Sequence, residues 1–211
     1  MRFKKVNNYL IVKYFKKISF LLAVCVLTAC NTVGYGFSEM LGLSFLHDRR
    51  ESKAILLDEH IEDSLLFELR KLEHVKDRSH VNITAYNGKV LVTGEAETDV
   101  IQERIIAQVR IIDGVKMVHN ELRVAPMSSM AARSTDSMIT LKVKNALADE
   151  IKNQPGFDVT RVKVVTEDGV VYLMGLVHKP EGDAAAKVAQ TVKGVRKILT
   201  VFEYIQYSSK K

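Results

Sequence analysis

Apolar residues recur in the same order twice along this chain. Ile61, Leu65 and Leu69 fall every fourth position, the spacing of one face of an α-helix, and Asp58 stands where an N-cap would. Val81, Ile83 and Ala85 then alternate with polar residues, Asn87-Gly88 follows, and Val90 and Val92 resume the alternation. Asn-Gly between alternating segments marks a two-residue hairpin, because both turn residues need positive φ. Helical spacing returns at Ile101, Ile105, Val109 and Ile112, with Thr98 placed to cap that helix and Gly114 to end it. VKMVHNELRV reads as a third strand.

The second pass obeys the same order. Ile139, Val143 and Leu147 follow Asp136 at helical spacing, and Val162, Val164, Val171 and Leu173 flank an Asp168-Gly169 turn. Pro180 opens a helix with Ala185, Val188 and Val192, Gly194 closes it, and VRKILTVFEYI is the last strand. ITAYNGKVLVTGEA and VVTEDGVVYLMGLV start 81 residues apart, at Ile83 and Val164, and place Gly88 opposite Gly169 and Gly94 opposite Gly175. Gly94 and Gly175 are expected near the end of the second strand, where a side chain would strain the backbone or meet the neighbouring helix. The chain is therefore a duplication of a helix-hairpin-helix-strand unit. At roughly 70 residues, such a unit suffices for a small two-layer α+β core.

Charge is distributed unevenly. The formal net charge is +6, but Arg2, Lys4, Lys5, Lys13, Lys16 and Lys17 account for all of it, and beyond them 25 basic residues face 25 acidic ones. Those six precede ISFLLAVCVLTAC, an apolar run shorter than a ~20-residue membrane span. Leu27-Thr28-Ala29-Cys30 looks like a bacterial lipobox, which makes residues 1–29 a lipoprotein signal peptide and Cys30 the acylated N-terminus. An N-terminal membrane anchor with an incidental Cys is the alternative. Cys25 lies within the leader, so the remaining chain offers no thiol for a disulfide or a thiolate metal site. Residues 30–57, interrupted by Gly34, Gly36 and Gly42, read as a lipidated tether. The domains then run 58–125 and 136–207, with a linker at 126–135 and a tail at 208–211.

The doubled order, the apolar-Gly step after each hairpin (Val92-Thr93-Gly94, Leu173-Met174-Gly175) and the Gly-Val step before each last strand resemble BON domains. Two of them behind a lipobox are similar to the dual-BON outer-membrane lipoproteins, the division- and outer-membrane-stress-associated lipid-binding family. The resemblance implies tandem αββαβ units and a lipid anchor at Cys30. It also implies an outer-membrane location facing the periplasm, with enrichment at the division site, and a role in outer-membrane integrity. Asn31 in place of Asp agrees with transfer to the outer membrane. The implied partner is an anionic phospholipid membrane, docked through the first helix of the second domain. The alternative is a protein-binding adaptor for an envelope assembly or division factor, using the apolar last strand (Val201, Phe202, Tyr204, Ile205).

The residues of that helix can be read for the same role. Met138, Leu141, Asn145 and Ala148 share a face roughly opposite Ile139, Val143 and Leu147, with Lys142 and Lys152 at its flanks. Apolar residues off the core side, edged by Lys, suit a helix seated among lipid headgroups. The same stripe would also serve for contact with the first domain. Met138 stands where the family usually has an aromatic. Residues 31–133 carry 13 basic and 16 acidic residues against 12 and 9 in 134–211, so an anionic surface favours the second half.

Enzyme chemistry finds little support. His47, His60, His74, His80, His119 and His178 are scattered with no pair at metal-ligand spacing. Gly88, Gly94, Gly169 and Gly175 punctuate strands and form no phosphate loop before a helix. No metal, cofactor, small-molecule substrate or nucleic acid is expected.

Overall fold

The computed structural model describes residues 48–151 and 158–206. Cys30, the leader, the tether up to residue 47, Lys152 and the tail lie outside the described residues. The elements follow one another as α1 (Ser52–Lys71), α2 (Val75–Arg78), β1 (Ser79–Tyr86), β2 (Lys89–Ala96), α3 (Asp99–Ile111) and β3 (Met117–Val124) in the first repeat. The second runs α4 (Met130–Ile151), a 3₁₀ turn (Val159–Arg161), β4 (Lys163–Glu167), β5 (Val170–Val177), α5 (Lys179–Gln190) and β6 (Lys197–Tyr204).

Each repeat is a three-stranded sheet with its middle strand antiparallel to the hairpin partner and parallel to the last strand. The hairpins close where the sequence places them. Asn87 and Gly88 have φ of 54° and 78°, and Asp168 and Gly169 have 47° and 68°. Helices cover one side of each sheet. Ile61, Leu65, Val90, Val92, Ile105 and Val109 fill the first core, and Ile139, Val143, Leu147, Val171, Leu173 and Ala185 the second. Thr98 caps α3 by accepting the Ile101 N–H, and Gly114 follows its end at φ 88°.

Three expectations need correction. Asp58 is no N-cap, because α1 starts six residues earlier and buries Ile55 as well as Ile61, Leu65 and Leu69. The last residues of the stretch read as tether are thus helical. Asp58 is instead buried inside α1, where its carboxylate accepts the N–H of Asn87 (2.5 Å) and of Gly88 (2.7 Å) and pairs with Arg50. Asp136 does the same in the second repeat, accepting from Asp168 and Gly169 at 2.9 Å each. Likewise α4 begins at Met130, so half of the stretch read as linker is helix.

The third correction concerns Gly94 and Gly175. They occupy the sixth position of β2 and β5 as expected, and Gly94, at φ 113°, has the backbone that a side chain would strain, but a Cβ at either would meet backbone and not a neighbouring α-helix. It would lie 2.0 Å from the His80 carbonyl oxygen in β1, and 2.3 Å from that of Arg161 in the 3₁₀ turn.

The two repeats pack against each other through the sheet faces their helices leave bare. Every residue of β2 from Val90 to Ala96 is buried. Val90 and Val92 point to the helices, while Leu91 on the alternate side joins Tyr86, Tyr172 and Met174 in a third apolar cluster. Polar links frame this seam. The Tyr86 hydroxyl accepts the Leu176 N–H at 3.1 Å, Lys163 bonds Glu62 at 2.8 Å, and Arg123 bonds Asp168 at 2.9 Å. Burial drives the Tyr86 hydroxyl pKa up to about 12, so it stays protonated.

Candidate functional site

Two regions bring together chemistry that the cores do not consume. The first is the outward side of α4. Ile139, Val143 and Leu147 are buried, as their spacing requires, and Met138, Leu141, Lys142, Asn145 and Ala148 are exposed on the opposite side. Met138 and Leu141 each keep 51% of their surface open to solvent, so this stripe does not serve for contact with the first repeat. Met138 and Lys142 border a shallow depression completed by Ser134, Thr135, Lys193 and Gly194. Gly194 ends the loop after α5 and places Lys193 beside α4, a juxtaposition no local pattern in the sequence reveals. The result is an apolar patch with two ammonium groups at its rim.

Exposure alone does not single out α4. On α1, Leu56 and Phe67 are open by 63% and 61%, and the Lys71 ammonium sits 3.8 Å from the Phe67 ring centroid. The difference lies in charge. The exposed or half-exposed side of α1 carries Glu59, Glu62, Asp63 and Glu68 among its apolar residues. On α4, Asp136 is buried and committed to the hairpin turn, and the next acids, Asp149 and Glu150, lie about two turns beyond Leu141.

The strand suggested for a protein partner is largely spent. Phe202 is buried in the second core and Val201 packs against the seam cluster, which leaves Tyr204 as its exposed aromatic.

The second region lies in the seam. His80 of β1, Glu95 of β2 and Glu167 of β4 converge there, with candidate ligand atoms all within 4.8 Å of one another. His80 Nδ1 stands 3.4 Å from Glu95 and 3.8 Å from Glu167. Both carboxylates are nearly sealed from solvent. Burial pushes Glu95 up, but hydrogen bonds from Ser128 and Arg123 outweigh it and hold the carboxyl below its usual range. Burial pushes Glu167 up too, to about 7; the hydrogen bond from Asn82 opposes this, and the negative charge of Glu95 adds to it. Sequence spacing gave no metal-ligand set, since these residues are 15 and 72 positions apart and meet through the packing of the repeats.

Among the described residues, no helix is long and apolar enough to cross a membrane. The family model described as the BON domain matches residues 57–126 and 135–206. The chain is 35% identical over 161 residues to a 21 kDa hemolysin of Actinobacillus pleuropneumoniae, covering 75% of this chain and 80% of that one. It is 31% identical over 191 residues to the outer membrane lipoprotein DolP of Haemophilus influenzae, covering 90% and 96%. The C-terminal domain of CdsD, a structural protein of the type III secretion system of Chlamydia trachomatis, is similar at 12% identity and a TM-score of 0.25, covering 70% of this chain and 96% of that one. That likeness is too slight to bear on fold or function.

Proposed function

The chain belongs to the BON-domain family as a two-domain member, and from that footing we propose that it is an outer-membrane lipoprotein, anchored through Cys30, that docks on anionic phospholipid through α4. The observation that carries the docking reading is the exposed Met138–Leu141 patch with Lys142 and Lys193 at its rim and no exposed acid within one helical turn of Met138 or Leu141. Such a face seats its apolar residues at the headgroup boundary while the long Lys side chains stay hydrated and reach phosphates.

Magnitudes explain why an anchor belongs in this account. Each Lys beside an anionic surface contributes ~1 kcal/mol. Two Lys and two half-open apolar side chains therefore give a total of only a few kcal/mol, in the millimolar range for a free protein. A lipid chain on Cys30 confines the domains near the bilayer, where millimolar effective concentrations make so weak a site productive. The intervening stretch up to Ser52 can span at most ~70 Å, so it sets how far the docking face reaches.

The test is flotation of the chain lacking residues 1–30 with vesicles of phosphatidylcholine alone or mixed with phosphatidylglycerol. Binding to the mixed vesicles, weakened by salt and absent on phosphatidylcholine, is the expected result. Absence of binding to both would favour the adaptor reading, in which an envelope protein and not lipid is the partner.

A further inference from the structure

We propose that His80, Glu95 and Glu167 form a divalent transition-metal site, suited to zinc, that joins the two repeats across their seam. The geometry is that of a prepared ligand set. Glu95 presents one oxygen to Arg123 (2.7 Å) and the other towards His80, with a 3.1 Å bond from the Ser128 N–H. Glu167 presents one oxygen to the Asn82 amide at 2.7 Å and the other towards His80. Each carboxylate is thus held by donors from the chain while one of its oxygens faces His80 Nδ1, as metal ligands are held by outer partners.

His80 Nδ1 is shielded from solvent and has no partner at hydrogen-bond geometry, with the Glu95 carboxylate 3.4 Å away. The ring therefore faces both carboxylates with a nitrogen that no protein group claims. Ligands at 2.0–2.2 Å from one zinc ion lie roughly 3 to 3.5 Å apart, so closing separations of up to 4.8 Å takes at most about 1.5 Å, shared between two side chains. Charge points the same way. Arg123 bonds Glu95 directly, whereas the direct partner of Glu167 is the neutral Asn82 amide, and a mutual repulsion of the two carboxylates remains. A metal ion would answer it.

Imidazole with two carboxylates suits zinc and its neighbours better than magnesium or calcium, which prefer oxygen alone. An opening bordered by His80, Asn82, Arg133, Thr140 and Glu167 admits an ion and a water ligand. Arg133 faces it but is engaged by Ser128, and Asp136 is engaged by its turn. The trio does not belong to the duplicated framework. Its counterparts 81 residues away are Arg161, Leu176 and, for Glu167, Tyr86.

The full chain in detergent, stripped with EDTA, is titrated calorimetrically with zinc chloride and, separately, magnesium chloride. Zinc should bind at one equivalent and raise the thermal unfolding midpoint, with no comparable effect of magnesium. His80→Ala and Glu167→Gln should each weaken zinc binding roughly tenfold or more and lose the zinc-induced shift. In EDTA, Glu167→Gln should unfold no earlier than the parent, which separates ligand loss from misfolding. Absence of zinc binding, equal binding by parent and both variants, or an equal response to magnesium would each overturn the proposal.

Discussion

The carboxylate of Asp136 in α4 receives the backbone N–H of Gly169, 33 residues later, at 2.9 Å. The partner bond from Asp168 N–H has the same length, so one buried side chain fixes the whole tip of the second hairpin to the helix beneath it. Asp58 holds Asn87 and Gly88 in the same way, and the duplication is thus one of polar wiring as well as apolar pattern. Removing the acceptor leaves two buried N–H groups without partners. Asp136→Ala and Asp58→Ala should each cost about 2–4 kcal/mol in urea unfolding. The effect should be somewhat larger at Asp58, whose loss also removes an ion pair to Arg50, although Asp48 still holds that guanidinium. An unchanged midpoint would show that water replaces the carboxylate at no cost.

Gly94→Ala and Gly175→Ala should be graded. Both add a Cβ against a carbonyl oxygen that lies inside a sheet or a tight turn and cannot easily withdraw. Gly94 also sits at φ 113°, whereas Gly175 does not need a left-handed backbone. Losses of about 3 kcal/mol or more at Gly94, and somewhat less at Gly175, are expected in chemical denaturation. The reverse order, or no loss at either, would contradict the steric account.

Glu167 gives the seam a dependence on pH when metal is chelated. Its folded pKa is raised to about 7, so between the ordinary carboxylate range and that value the folded chain holds a proton that the unfolded chain has lost. Stability contributed by this group is therefore full at low pH and declines as pH rises towards 7. Glu167→Gln keeps an acceptor for Asn82 and removes the charge. With EDTA present it should be more stable than the parent by about 1–3 kcal/mol at pH 8 and nearly equal to it at pH 5. A difference that does not vary with pH would mean that the carboxyl is not perturbed.

Much of this was legible in the residues. Element order, both hairpins and the end of α3 follow from spacing and from the Asn-Gly and Asp-Gly pairs, because these are local rules. The outward placement of Met138, Leu141, Lys142 and Asn145 also follows from a 100° step around one helix. Other features depend on contacts distant in sequence. A buried Asp in a helix has the same residue type as an N-cap, so Asp58 is not distinguishable from one by type, although Ile55 continues the helical face ahead of it. The seam did leave a trace, in the unbroken apolar runs at Val90–Val92 and Val170–Met174, which suit strands covered on both sides. His80, Glu95 and Glu167 left none, since no spacing encodes a meeting of two sheets.

Met138→Trp should strengthen vesicle binding. An indole prefers the headgroup level, and position 138 lies at the exposed edge of the lysine-rimmed depression, where the larger ring meets no core. Flotation should show a rise of severalfold in the fraction bound, at unchanged thermal stability. A decrease would mean that the depression must stay open for the headgroup itself.

The most direct measurement compares Leu141→Glu with Phe67→Glu, each assayed for flotation with phosphatidylglycerol-containing vesicles and for thermal unfolding. Both substitutions place a carboxylate at an exposed apolar position on the opening helix of a repeat, so their effects on packing should be equally slight. The account predicts that Leu141→Glu abolishes binding, that Lys142→Glu does the same, and that Phe67→Glu leaves it nearly intact, because the lysine-rimmed face of α4 is the one that meets lipid. Retained binding by the position 141 and 142 variants, or equal loss from both helices, would contradict it.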